Sequence, residues 1–172
     1  HMNFDLGGPI FPGGVAAVDA GDLPQVETDP EGNRARIFGA VSQVLDRGGV
    51  PLLIGGDDSL PIPMLEAYGA RPRGITILQI DAHIDWRDEV GGERLGLSST
   101  MRRASEMAHV EAIIKVGQRG IGSARMQDVA DAESWGVAFV PAGEIARTGI
   151  GRAIDLIPAG ADVVICLDLD AL

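Results

Sequence analysis

Three apolar runs in this chain each lead into acidic residues, and this pattern constrains the fold more than any other feature. The runs and the acidic residues that follow them are 52–54 with Asp57 and Asp58, 75–80 with Asp81, and 163–167 with Asp168 and Asp170. Short apolar runs of this kind are typical of buried parallel strands, whose carboxyl ends meet in the crevice where open α/β sheets bind ligands. Carboxylates gathered there would repel one another unless cations lay among them, so the sequence predicts a metal site.

The rest of the chain alternates between β-prone runs and segments with helical periodicity. The predicted strands are 15–18, 51–54, 75–80, 112–116, 137–140 and 163–167, and the predicted helices begin at Pro30, pass through Met64 to Tyr68, and cover 100–107, 124–135 and 150–157. Strands that alternate with helices predict an α/β fold, with a mostly parallel sheet covered by helices on both faces.

The length and composition indicate one domain over residues 3–172, because 172 residues with 45% hydrophobic content can bury one core. His1 and Met2 resemble the remnant of an expression tag. The last predicted strand reaches its acidic end two residues before the sequence stops, and a parallel strand needs both faces covered. We therefore expect the chain to be incomplete at both ends.

The net charge of -11 excludes some classes of partner. Nucleic acid and an anionic membrane surface would be repelled at long range, whereas a small cationic substrate would be attracted. The sequence contains neither an apolar stretch long enough to span a bilayer nor a signal-peptide pattern, so we expect a cytoplasmic location.

The middle motif, Asp-Ala-His-Ile-Asp, carries the most chemistry. Asp81, His83 and Asp85 alternate, so in an extended segment their side chains would share one face. Carboxylate oxygens with one imidazole nitrogen suit a divalent ion such as Mn²⁺, although zinc and iron fit as well. Asp168 and Asp170 have the same spacing, and together these residues are enough for two ions that activate water for hydrolysis.

Each acidic residue also has a plain structural explanation. An aspartate that follows a strand often caps a helix or stabilises a turn, and this explanation is the better one for any of these residues taken alone. The combination of Asp81, His83 and Asp85 with Asp168 and Asp170 favours the metal site over that explanation.

These motifs resemble a known family. Gly-Gly-Asp-Asp-Ser at 55–59, Asp-Ala-His-Ile-Asp-Trp-Arg at 81–87 and Cys-Leu-Asp-Leu-Asp at 166–170 resemble the three signature motifs of the ureohydrolases, which include arginase, agmatinase and guanidinobutyrase. The Trp-Arg continuation and Met-Arg-Arg-Ala at 101–104 are closer to the agmatinase branch. The resemblance implies a three-layer α/β/α arginase-like fold, two Mn²⁺ ions per subunit, a trimer or hexamer of identical subunits, and hydrolysis of a guanidino group to urea and an amine.

The resemblance also implies a role for each site residue. Asp81 and Asp168 would bridge the two ions, Asp85 would bind the first, and His83 and Asp170 the second. Asp81, His83 and Asp168 would form the catalytic centre. Ser98 and Ser99 stand where the family has a His-Gly pair near the substrate, so they become the candidate substrate contacts.

A second departure from the family pattern concerns the first motif. Asp58 stands where the family has a histidine ligand. A carboxylate can also bind Mn²⁺, but four ligand carboxylates already balance two divalent ions, and a fifth leaves one negative charge in excess. Excess negative charge makes the ions weaker Lewis acids.

Two alternatives to a guanidino hydrolase remain. The first is a non-catalytic relative that binds metal poorly or not at all, which Asp58, Ser98 and the short chain favour. The second is a nucleotide binder that uses Gly55 and Gly56 before a helix, although Asp57 and Asp58 at the same turn would repel phosphate.

Overall fold

The protein is described by a computed structural model that covers residues 2–5, 7–11 and 13–172. A short antiparallel pair, β1 and β2, precedes a sheet of four parallel strands in the order β5–β4–β3–β6. The strands are β1 (Met2–Asn3), β2 (Gly8–Pro9), β3 (Ile75–Ile80), β4 (Val110–Val116), β5 (Ala138–Val140) and β6 (Asp162–Leu167).

Helices lie between these strands along the chain, as the alternating pattern predicts. The α-helices are α1 (Pro30–Asp46), α2 (Pro61–Ala67), α3 (Thr100–Ser105), α4 (Met126–Trp135), α5 (Ala142–Thr148) and α6 (Gly151–Asp155). Single 3₁₀ turns cover Tyr68–Ala70, Leu97–Ser99 and Leu169–Ala171. None of the helices in the described part of the chain combines the length and the apolar character needed to cross a bilayer.

Two separate apolar clusters cover the two faces of the sheet over β3, β4 and β5, whereas Val163, Ile165 and Leu167 on one face of β6 are exposed. On one face, Ile75 and Ile77 of β3 belong to a cluster that includes Leu65 of α2, Met101 of α3 and Ala132 of α4. On the other face, the members include Ile114, Val116 and, from α6, Ala153, with Ile145 of α5 packed against them. The predicted three-layer α/β/α fold is therefore confirmed.

Local sequence signals explain why α1 is the longest helix. Asp29 caps its first turn by accepting a hydrogen bond from Gly32 N at 2.9 Å, and Pro30 occupies the first helical position, where no N–H is needed. The helix ends before Gly48, which has a positive φ of 73°. Both ends lie where the capping residues predict them.

Two predicted strands are wrong. Residues 15–18 and 51–54 have no regular secondary structure, and Val50, Leu52 and Ile54 are exposed by 85% or more. A short apolar run becomes a strand only when a neighbouring strand accepts its backbone hydrogen bonds, and neither run pairs with another segment among the described residues. Helix α5 was not predicted from the sequence.

The strand register places three polar or sulfur-containing side chains side by side near the carboxyl end of the sheet. Gln79 of the central strand β3 pairs with Lys115 of β4 and with Cys166 of β6. All three residues are buried. They therefore form a row across three strands, directly beneath the point where the acidic residues follow.

We expect Gly117→Ala to destabilise the protein by about 1–3 kcal/mol. Gly117 has a positive φ of 101°, and a Cβ atom there would lie 3.2 Å from the carbonyl oxygen of Asp81. Gly39→Ala in α1 is the matched control, since a Cβ atom there meets no other atom within 4 Å and alanine favours a helix. Urea denaturation of both variants checks this, and an equal effect at the two positions would contradict it.

Candidate metal centre

Two groups of possible metal ligands meet at the carboxyl end of the sheet, and they share one residue. Asp58, Asp81 and Asp85 form one group, and Asp81, His83 and Asp170 form the other. Within each group, the possible ligand atoms all lie within 4.8 Å of one another. Asp81 belongs to both groups, which is the arrangement that a bridging ligand requires.

The middle motif reaches this arrangement through a bend rather than through the predicted extended segment. Strand β3 ends at Ile80, and the backbone bends at 82 and 83, where His83 N donates to Asp81 Oδ1 at 2.6 Å. Asp85 has a left-handed φ of 43°, and its carbonyl accepts hydrogen bonds from the first turn of α3. Aspartate tolerates this conformation better than most residues, and such backbone is common at functional sites.

Asp58 comes to the centre on the turn that leads into α2. Asp57 stabilises that turn by accepting hydrogen bonds from the backbone N and the hydroxyl of Ser59. The carbonyl of Asp58 accepts a hydrogen bond from the hydroxyl of Thr100 at the start of α3. Asp58 therefore reaches the acidic cluster even though the run before it is not a strand.

The segment after β6 contributes Asp170 and Asp168. Asp170 Oδ2 lies 2.8 Å from His83 Nδ1, and Asp170 Oδ1 accepts a hydrogen bond from Ala82 N at 3.2 Å. Arg119 fixes the backbone of this segment, since its guanidinium donates to the carbonyl of Asp170 at 2.6 Å. Asp168 belongs to neither group of possible ligands, but it lines the same cleft.

Asp58, Asp85, Asp168 and Asp170 line a cleft of about 170 Å³, whereas Asp81 is buried and is not among its lining residues. Ser98 lines this cleft, whereas Ser99 is fully buried and is not among the lining residues. Of the two predicted substrate contacts, only Ser98 is thus placed to meet a molecule in the cleft. Asp128 also lines the cleft and is paired with Arg87 at 3.2 Å.

Burial makes the acidic cluster hard to ionise without cations. Burial first, and then the charges of Asp81 and Asp168, raise the pKa of Asp58 to about 7. Burial and the neighbouring Asp85 raise the pKa of Asp81 to about 8, and burial also raises the pKa of Asp85. Divalent ions would offset this repulsion and restore the ionised forms.

The described residues fit a divalent metal. Asp58 Oδ2 is buried and has no hydrogen-bond partner among the described residues, so it has a free position for a cation. The donors are carboxylate oxygens with a single imidazole nitrogen, which suits Mn²⁺ better than a metal that prefers thiolates. The lone cysteine, Cys166, is buried and belongs to neither group of possible ligands.

Sequence reasoning missed two residues that contact or face the centre. Gln79 Nε2 donates to Asp81 Oδ2 at 2.7 Å and to Asp85 Oδ2 at 2.6 Å. Lys115 Nζ donates to Gln79 Oε1 from the neighbouring strand. The available signal was a lysine inside the apolar run 112–116, a position where a buried charge needs a partner.

Comparison with known proteins identifies the family, because the model of the arginase family matches residues 3–172. The chain belongs to the arginase family. Among curated relatives it is 33% identical to an agmatinase of Bacillus anthracis over 109 residues, covering 61% of this chain and 36% of that protein. It is 25% identical to the mitochondrial guanidino acid hydrolase of Homo sapiens over 170 residues, covering 92% of this chain and 46% of that protein.

The fold of the chain also agrees with that of a solved structure. Formimidoylglutamase from Bacillus subtilis superposes with a TM-score of 0.85 at 22% identity, covering 98% of this chain and 54% of that chain. The arginase-like fold predicted from the motifs is confirmed, as is the similarity to the agmatinase branch. The chain spans about a third to a half of the length of these relatives.

We expect Asp58→Asn to stabilise the metal-free protein more at pH 8 than at pH 5. The folded pKa of Asp58, about 7, exceeds its ordinary value of 3.8. The folded state therefore holds the Asp58 proton more tightly than the unfolded state, and stability from this group is lost as pH rises from about 4 through 7. Thermal unfolding in EDTA at both pH values checks this, and a larger gain at pH 5 would contradict it.

Proposed function

We propose that this protein is a binuclear manganese hydrolase that cleaves the guanidino C–N bond of a small, agmatine-like compound to give urea and an amine. The observation that carries the proposal is that Asp81 belongs to both groups of possible ligands, so one carboxylate is placed to serve two ions. Membership of the arginase family supports a hydrolase of this class.

The two groups would each hold one ion. Asp58, Asp81 and Asp85 would bind the first, and Asp81, His83 and Asp170 would bind the second. Paired divalent ions supply the activation of water for nucleophilic attack near neutral pH. Asp168 lines the cleft outside both groups. Its Oδ1 accepts a hydrogen bond from Asp170 N, and its other oxygen would contact an ion or a substrate cation.

The charge of the cleft supports a cationic substrate. Asp58, Asp85, Asp128, Asp168 and Asp170 line it, while Arg87 is the basic residue among its described lining residues and is already paired with Asp128. A guanidinium or amidinium would therefore be attracted to the cleft, where Asp168 would be a carboxylate that neither ion group uses. The hydroxyl of Ser98 would be available to orient the remainder of the substrate.

The substrates named by the relatives differ in the rest of the molecule. Agmatinase, guanidino acid hydrolase and formimidoylglutamase share action on a carbon that carries amidine-type nitrogens. We propose that this carbon is the reacting centre here too, and that an uncharged or cationic tail is preferred over a carboxylate tail, because the cleft is acidic.

A second candidate function is a non-catalytic relative that holds the same cluster without ions. Buried Lys115 favours this candidate, because its ammonium lies near Asp58, Asp81 and Asp85 and offsets part of their repulsion. The two candidates differ in whether purified protein binds Mn²⁺ and releases urea.

We expect the protein to bind two Mn²⁺ ions and to release urea faster from agmatine, whose tail is cationic, than from guanidinobutyrate, whose tail is a carboxylate. Because Asp81 belongs to both groups, Asp81→Asn should weaken the binding of both ions at least about a hundredfold. This loss is larger than that for residues that only contact a metal ligand, whose removal typically weakens metal binding about 10–100-fold. Calorimetric titration with Mn²⁺ and a urea assay check this.

Asp57→Asn is the matched control, since Asp57 is the neighbouring exposed carboxylate of the Asp58 turn and belongs to neither group. It should leave the number of bound ions unchanged. Two bound ions without urea from agmatine, guanidinobutyrate, guanidinopropionate or arginine would favour the non-catalytic candidate. Absence of Mn²⁺ binding would contradict the proposal.

A further inference from the structure

A completely buried lysine lies behind the acidic cluster. Lys115 is 0% exposed on the central part of the sheet, and burial lowers the pKa of its ammonium to about 8 while Asp85, Asp81 and Asp58 oppose that change. A lysine is almost never buried completely without a partner, since the loss of its hydration costs several kcal/mol. Its surroundings must therefore supply negative charge.

The lysine acts on the acidic residues through one amide. Lys115 Nζ donates to Gln79 Oε1, which leaves Gln79 Nε2 to donate to Asp81 at 2.7 Å and to Asp85 at 2.6 Å. The register of β3 and β4 places Gln79 and Lys115 directly opposite each other. Because the lysine can only donate, it fixes which end of the amide faces the carboxylates.

We propose that Lys115 is a positioning residue: it offsets the negative charge of the Asp58, Asp81 and Asp85 group, and through Gln79 it orients Asp81 and Asp85. This inference rests on the proposed function. Asp58, Asp81 and Asp85 bring three negative charges to one ion position, one more than a divalent ion balances, and the single buried ammonium offsets that excess. The charge of Lys115 thus allows Asp58 to stand where the family motif has a neutral histidine.

The first test uses the metal-free protein and a double-mutant cycle. Lys115→Met should lower the Tm in EDTA by at least about 6 °C, because it leaves the buried carboxylates without their counter-charge. Asp58→Asn should restore at least half of that loss in the double variant, since it removes the charge that Lys115 balances. Asp57→Asn is the control and should restore none of it.

The outcomes of this cycle are decisive even if one variant does not fold. If D58N/K115M shows no recovery of the Tm that K115M loses, the proposal is overturned. If K115M does not fold, we expect the double variant D58N/K115M to fold. Failure of both variants to fold would also overturn the proposal. Because no metal is present, this result does not depend on whether the protein is a manganese enzyme.

The second test measures Mn²⁺ affinity by calorimetry in two sequence backgrounds. If Lys115 had only a structural role, its substitution would change the Mn²⁺ affinity equally in both. Lys115→Met should weaken Mn²⁺ binding at least about tenfold in the natural background, because Gln79 loses the partner that orients its amide toward Asp81 and Asp85. In the Gln79→Leu background the amide is already absent, so removal of the nearby positive charge should leave the affinity equal or higher. An equal loss in both backgrounds would overturn the proposal, whereas an absence of Mn²⁺ binding by the unsubstituted protein would instead contradict the proposed function.

Discussion

Repulsion between buried carboxylates is the constraint on which the rest of this site depends. Asp58, Asp81 and Asp85 approach one another within 4.8 Å, and burial raises the pKa of each. Such an arrangement costs free energy unless positive charge lies beside it. The fold provides a buried ammonium in Lys115, and the geometry leaves positions for divalent ions between the carboxylates.

The parallel sheet explains why residues far apart in sequence meet at this point. Strands β3 and β6 are neighbours, so Asp81 and the Asp168–Asp170 segment follow them at the same edge of the sheet. The backbone then bends around the cluster, with Asp85 in a left-handed conformation and the carbonyl of Asp81 close to Gly117. The sheet sets the general position of the ligands, and the loops set their distances.

The sequence predicted the parts of the fold that depend on local signals. Strand β3 was placed at its observed bounds and α1 lies between its predicted caps, because apolar runs and capping residues act within a few residues. The predicted strand at 51–54 was wrong, since pairing depends on a distant partner. Lys115 was missed for the same reason, because its partners, Gln79 and the aspartates, come together only in the folded sheet.

The most direct test of the account is a crystal structure of the protein soaked in Mn²⁺, with anomalous diffraction recorded at the manganese edge. The account predicts two anomalous peaks on either side of Asp81, one bounded by Asp58 and Asp85 and the other by His83 and Asp170. Carboxylates that stay in place with no anomalous peak between them, or a single peak away from Asp81, would contradict it.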